Sequence, residues 1–114
     1  MKIDALREFC LSMPHVKESV QWGENLVMKV GGKMFAVVAL SPASTWLSFK
    51  CTPEDFAELT ERPGIIPAPY VGRYHWVALE TKEALTVAEL QKQIRRSYEL
   101  VLEKLPKKVR AALR

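Results

Sequence analysis

Two adjacent glycines, Gly31 and Gly32, restrict the fold of this chain more than any other local feature. The residues before them alternate in the manner of a strand from Leu26 to Val30, and residues 33–40 after them are apolar on both faces. Glycine adopts positive φ at no steric cost, so a glycine pair between two strands favours a tight two-residue hairpin. We therefore predict two antiparallel strands here, with the second at the centre of a sheet.

Residues 45–51 have the pattern of a third strand after a short polar loop. Successive side chains of a strand point to opposite faces of the sheet. We predict that Leu47 and Phe49 face a helical layer, and that Trp46 and Lys50 point to the opposite face, beside a lysine of the adjoining strand. The alternative for Trp46 is packing against a neighbouring strand.

Two later segments also have strand patterns. Residues 73–80 are rich in aromatic and β-branched side chains, and their alternation predicts Arg73 and His75 on one face. The alternative for His75 is a hydrogen bond to a buried carbonyl. Ile65 and Ile66 begin a further strand, which the neighbouring prolines confine to an edge of the sheet.

Helical patterns lie before, between and after these strands. An amphipathic first helix ends by Pro14, and a second begins after Thr52, whose hydroxyl is suited to cap it. Thr86 and Glu89 have the spacing of a capping box, and the apolar residues after them predict a long third helix that Pro106 ends. A short final helix carries basic residues.

This order of elements, α-β-β-β-α-β(β)-α, predicts the fold class. Strands joined by hairpin-length loops pair antiparallel, and the helices then cover one face of the sheet. We expect a two-layer α+β domain over residues 1–114, with a sheet of four to five strands.

The composition is that of a globular protein, with 48% hydrophobic and 26% charged residues. Charged residues interrupt the start of the chain, and no apolar stretch approaches the roughly 20 residues of a membrane helix, so we expect a cytoplasmic protein. In that reducing compartment Cys10 and Cys51 are expected as buried free thiols.

The net charge of +4 is unevenly distributed along the chain. Residues 1–73 hold eight basic and eight acidic side chains, whereas residues 74–114 hold nine basic and five acidic ones. The end of the chain is basic without an acid, through Lys104, Lys107, Lys108, Arg110 and Arg114. A one-sided basic surface attracts polyanions, of which nucleic acid is the usual one; the alternative is a surface that only keeps the protein in solution.

The sequence lacks the local patterns of catalytic and metal sites. Its cysteines and histidines are scattered singly, and Cys51 with His75 is the one nucleophile–base pairing to consider. The segment Gly31-Gly32-Lys33 lacks the other residues of a phosphate-binding loop. We expect no enzyme, no catalytic residue, no cofactor and no metal.

Several short segments, in this order and spacing, resemble the MmcQ/YjbR family of small bacterial proteins. They are the first helix with Cys10 and Pro14, the segments 32–36, 47–54 and 67–70, then 75–77, and the helix from Ser97 to Pro106. The resemblance covers nearly the whole chain. It implies a two-layer fold like that of secretion chaperones, and DNA binding by a double-wing arrangement in which the sheet lies on the duplex.

We therefore expect a DNA-binding protein that uses a basic surface on the sheet and the C-terminal helix. The candidate binding residues are Lys29, Lys33, Trp46, Lys50, Arg73, His75, Lys104, Lys107, Lys108 and Arg110. The first alternative is a protein-interaction or chaperone-like module, as a homodimer or with another protein. The second is a small-molecule site walled by residues 63–70 beside His75 and Trp76.

Overall fold

Six strands form one antiparallel sheet in the order β1-β2-β3-β4-β6-β5. The computed structural model describes residues 1–113. The strands are β1 (Val16–Gln21), β2 (Asn25–Val30), β3 (Lys33–Ala39), β4 (Leu47–Lys50), β5 (Ile65–Pro67) and β6 (Trp76–Leu79). The helices are α1 (Ile3–Leu11), α2 (Pro53–Leu59), α3 (Val87–Glu103) and α4 (Lys107–Ala112), with a 3-10 turn at Gly72–Tyr74.

The main core lies between one face of this sheet and the helices. Phe35, Phe49 and Leu47 from the central strands are fully buried against Leu6 of α1 and Ile94 of α3. The predicted α+β fold class, with helices on one face of an antiparallel sheet, is confirmed. None of the helices within residues 1–113 is long and apolar enough to span a bilayer.

The sheet has one more strand than the sequence indicated. The additional strand, β1, pairs with β2 from Val16–Val30 to Gln21–Asn25. Its sequence, VKESVQ, is mostly polar, and β1 lies at an edge of the sheet, where little apolar surface is needed to hold a strand. Pairing with β2 therefore defines this strand more than its own side chains do.

The local signals for turns and caps are confirmed. Gly31 and Gly32 form the predicted hairpin turn with φ of +58° and +79°. The hydroxyl of Thr52 accepts a hydrogen bond from the Asp55 amide, and Thr86 and Glu89 form the predicted capping box. The short strand β5 lies at an edge, as its prolines require.

Two predicted strands are shorter than expected, and the difference affects the candidate residues. The strand expected over residues 73–80 begins only at Trp76, because Arg73 lies in the 3-10 turn and His75 has a left-handed backbone with φ of 65°. The predicted placement of Arg73 and His75 on one face of a strand is therefore wrong. The strand expected from residue 45 begins at Leu47, so Trp46 lies outside β4.

Candidate functional site

One face of the sheet is not covered by the helices, and we call it the open face. Cross-strand pairing aligns Val37, Ser48, Ala78 and Ile66 in one row across β3, β4, β6 and β5. A small apolar cluster forms around the buried residues Ala68, Trp76 and Ala78, with Met34, Val37, Ile66 and Val71 packed against it. The segment between β5 and β6 thus folds over one side of the open face.

The other side of the open face carries a row of lysines. Lys17 on β1 lies directly opposite Lys29 on β2, which in turn pairs with Met34 on β3. Lys50 on β4 points to the same face and is opposite Trp76 on β6. Like charges placed directly opposite each other on neighbouring strands are destabilising, so this arrangement has a cost in the free protein.

No acidic side chain of the described strands offsets this charge. Glu18 is the single acid on these strands, and it pairs with Met28 of the main core, on the face opposite to Lys17. Its carboxylate accepts hydrogen bonds from Arg7 of α1, at 2.7 Å from Nε and 2.5 Å from Nη2. The strands therefore give the open face lysines and hold their one acid on the helical side.

A groove of about 480 Å³ lies where the open face meets the end of α3. Its lining combines three lysines with apolar and aromatic side chains, and it contains no acid. The lining residues are Lys33, Met34, Lys50, Val71, Tyr74, Trp76, Val101, Lys104, Leu105 and Pro106. Such a lining suits a ligand that carries both negative charge and an apolar or aromatic part.

Lys50 lines this groove, and the end of its side chain is held by a hydrogen bond. Its ammonium donates a hydrogen bond to the carbonyl oxygen of Tyr74 at 3.3 Å. Burial lowers the pKa of Lys50, and the nearby charge of Lys104 lowers it further. The two lysines therefore interact electrostatically, although they are 54 residues apart in the chain.

Ser97 of α3 fixes the backbone of Lys50 from the core side. Its hydroxyl is fully buried, donates to the Phe35 carbonyl at 2.6 Å and accepts from the Lys50 amide at 3.0 Å. These two backbone groups lie at the end of the β3–β4 ladder, next to the last paired residues Ala36 and Phe49. The hydroxyl thus joins the two strands where their direct pairing stops.

One aromatic side chain, Tyr74, stands at the rim of the groove, on the segment between β5 and β6. Tyr74 is 52% exposed, and the guanidinium of Arg73 lies 4.9 Å from the centre of its ring. Tyr70 is 97% exposed, and both Tyr70 and His75 have positive φ. Left-handed backbone is unfavourable for residues other than glycine, and such strain concentrates at functional sites.

The structure brings together some of the residues that the sequence predicted as candidates for nucleic-acid binding. Lys33, Lys50 and Lys104 line the groove, Lys29 lies in the lysine row beside it, and Arg73 stacks at the rim. None of these five takes part in an ion pair within residues 1–113, where the ion pairs are Arg7–Glu18, Arg62–Glu89 and Arg96–Asp55.

Other nominated residues lie elsewhere. Trp46 packs against the main core, with the Lys82 ammonium 5.7 Å from its ring centre, so its predicted place on the open face is wrong. The reason is that residue 46 precedes β4, so the alternation of side chains along that strand does not decide the direction of the Trp46 side chain. The ring of His75 meets Phe56 edge-on at 5.5 Å, and the histidine contributes its backbone carbonyl to Cys51.

The basic residues of the last helix separate from the groove. Lys107 and Arg110 line a different pocket, of about 680 Å³, together with His15 and Tyr98. Lys108 is exposed and lines neither pocket, and Arg114 lies outside the described residues. Of the residues expected to form one basic surface, Lys104 thus lines the groove with Lys33 and Lys50, whereas Lys107 and Arg110 line the other pocket.

Sequence reasoning missed two residues of this site. Lys17 was not nominated because β1 was not predicted, and only strand pairing reveals that it faces Lys29. Ser97 was missed although a signal was present, since a small polar residue interrupts the buried stripe of α3 between Ile94 and Val101. A buried serine in such a stripe requires hydrogen-bond partners.

Fold and site together define a class of protein: a two-layer α+β domain whose uncovered sheet face carries a basic groove. The chain matches the YjbR family over residues 11–100 and belongs to that family. The resemblance found in the sequence is thus confirmed. The sequence matches no curated protein.

Solved structures agree with this assignment. The Deinococcus radiodurans protein DR2400, described by the family-model domain DUF419, is 30% identical with a TM-score of 0.84, over 98% of this chain and 87% of that one. A protein from Pseudomonas syringae has a TM-score of 0.72 over 89% of this chain and 99% of its own. At 19% identity this second likeness concerns the fold alone.

Proposed function

We propose that this protein binds nucleic acid on the open face and in the adjoining groove. The observation that carries the proposal is the convergence of lysines from distant parts of the chain on a sheet face and a groove to which the described strands and the groove lining contribute no acid. These lysines are Lys17, Lys29, Lys33, Lys50 and Lys104. We propose a binding role and no catalytic role.

The electrostatics of the free protein support this proposal. Lys17 faces Lys29 across two strands, and Lys104 lowers the pKa of Lys50, so these charges repel one another. A ligand that supplies several negative charges in a row relieves this repulsion. Nucleic acid has such a row in its phosphates, and their neutralisation by lysine releases bound counterions.

The test is a titration with a labelled 12-nucleotide DNA, in single-stranded and duplex form, at two salt concentrations. We expect binding that weakens steeply with salt. The double variant Lys33→Gln/Lys104→Gln should weaken binding roughly tenfold or more and reduce the slope of log K against log salt by about 1.5, since two phosphate contacts are lost.

The matched control is Lys2→Gln/Lys92→Gln, which removes the same charge from exposed positions on the helical side of the molecule. It should change the affinity by less than about threefold, through net charge alone. The proposal is wrong if neither form of DNA binds at low salt, or if both double variants lose the same affinity.

One observation favours a protein partner as a second role. Val20, Trp22 and Leu40 are 60%, 66% and 44% exposed, and all three lie at the end of the sheet that holds the β1–β2 turn. We propose a second copy as the occupant, paired along edge strand β1. Light scattering over a range of concentrations tests this: a mass that stays monomeric at high concentration excludes it, and a dimer should dissociate in Trp22→Ser.

A further inference from the structure

The lining of the groove, together with the proposed function on which this inference rests, indicates which kind of nucleic acid the groove accepts. Its lysines stand beside an apolar wall made by Met34, Val71 and Trp76. A duplex presents phosphates outward and keeps its bases stacked inside, so it has no free base face with which to fill such a wall. An unpaired base offers a flat aromatic face that fits there, while its phosphate reaches the lysines.

The rim adds one exposed aromatic ring to this arrangement. Tyr74 lines the groove and is half exposed, with Arg73 stacked on its ring at 4.9 Å. Tyr70, almost wholly exposed, lies four residues earlier on the same segment and outside the groove lining. Rings that stack on bases, together with a positively charged path for the backbone, are the usual means of binding single strands.

The lysine row supplies that path. It begins with Lys17 on edge strand β1, passes through Lys29 on β2 and continues to Lys50 on β4. Neighbouring strands lie about 4.8 Å apart, so these lysines span about 14 Å from β1 to β4. A strand of a few nucleotides that runs across the β-strands would meet the lysines in turn and end with a base in the groove.

We propose that the ligand of this site is an unpaired polynucleotide strand, which crosses the lysine row and places a base against Tyr74 and the apolar wall of the groove. Duplex nucleic acid meets only the outer lysines. The aromatic rim and the apolar wall then contribute to single-strand binding and not to duplex binding.

The experiment compares the anisotropy of labelled dU12, rU12 and a GC-rich 12-base-pair DNA duplex, which stays paired, at one fixed low salt concentration. We expect at least tenfold tighter binding of a single strand than of the duplex, and the dU12 and rU12 arms show whether the ribose matters. Tyr74→Ala should weaken single-strand binding about tenfold and leave duplex binding within twofold.

Val87→Ala is the control, because Val87 is a large apolar residue that is 49% exposed against 52% for Tyr74, and it lies at the start of α3 outside the groove lining. It should leave all three affinities unchanged, and circular dichroism verifies that both variants are folded. Equal or tighter binding of the duplex overturns the inference and leaves the proposed function intact. A loss with Val87→Ala as large as with Tyr74→Ala overturns the groove assignment, whereas no binding of any probe overturns both proposals.

Discussion

At the scale of one residue, the charge of Lys50 suits the binding of an anionic ligand but destabilises the folded protein when no ligand is bound. Its stem packs beside Trp76 on the open face, and its charge is disfavoured by burial and by Lys104. A lysine whose pKa is lowered by folding destabilises the folded state below that pKa. Between the lowered pKa and the ordinary value of 10.5, the unfolded chain binds more protons, so this part of the stability rises with pH.

Because folding lowers the pKa of Lys50, removing its charge should not destabilise the folded protein. Lys50→Met keeps most of the stem and removes the charge, so the midpoint of thermal unfolding at pH 7 should stay the same or rise. Nucleic-acid affinity should fall roughly tenfold, equivalent to about 1.4 kcal/mol. Lys92→Met, on the exposed side of α3, is the control and should change neither quantity. A variant that unfolds more easily but binds as before would contradict this account.

At the scale of elements, the β2–β3 hairpin depends on the end of α3. A Cβ atom added to Gly31 would lie 2.5 Å from Cδ1 of Leu105, a buried residue that also lines the groove. A Cβ added to Gly32 would meet nothing within 4 Å. The two glycines share the left-handed backbone and differ in this contact, so one controls for the other.

We expect Gly32→Ala to cost about 1 kcal/mol in the free energy of unfolding, from the left-handed backbone alone. Gly31→Ala should cost about 2–4 kcal/mol, because it also displaces the buried side chain of Leu105. Urea denaturation of both variants measures the difference. Equal losses would show that Leu105 moves aside freely and that its packing on the hairpin is loose.

The start of α3 is held by an ionised carboxylate. Hydrogen bonds from Arg62, and then from the Thr86 amide, lower the pKa of Glu89 from its ordinary 4.5 to about 2. A lowered carboxyl pKa stabilises the fold above pH 4.5, and the contribution disappears as the pH falls towards 2.

Thermal unfolding followed from pH 6 to pH 2 tests this contribution. The wild-type midpoint should fall across that window more steeply than the midpoint of Glu89→Gln, which lacks the titrating group. Glu99→Gln, an exposed residue on the same helix, should keep the wild-type slope. Parallel curves for the wild type and Glu89→Gln would show that this pair does not stabilise the start of α3.

At the scale of the whole molecule, the two layers close around both cysteines. Cys10 of α1 is fully buried, and Cys51 after β4 is 2% exposed and donates its S–H to the His75 carbonyl. Burial raises the pKa of each thiol to about 12, with Asp55 adding to the effect at Cys51. The thiolate is the reactive form, so both groups are protected by protonation as well as by burial.

Native protein at pH 8 should therefore react with a thiol reagent at least a hundredfold more slowly than the same protein in guanidinium chloride, where two thiols per chain should react. The rate in increasing denaturant should follow global unfolding, because both cysteines belong to the main core. Fast reaction of one thiol in the native protein would reveal local opening around Cys10 or Cys51.

The sequence by itself determined the features that depend on neighbouring residues. The hairpin at Gly31-Gly32, the cap at Thr52 and the capping box at Thr86 follow from backbone freedom and from donors a few residues away. The periodicity of the helices and the edge position of the proline-flanked strand likewise depend on residues that are close together in the chain. These rules were enough for the α+β class, while the family resemblance rests on the order and spacing of short segments of the sequence.

The tertiary structure alone decided which charges meet. Lys17 enters the site because β1 pairs with β2, and Lys104 reaches Lys50 because α3 ends over the sheet. The same packing removes Trp46 from the open face and carries Lys107 into another pocket. Strand pairing and helix docking join residues far apart in the chain, and the energies that select them come from contacts that no short stretch of sequence contains.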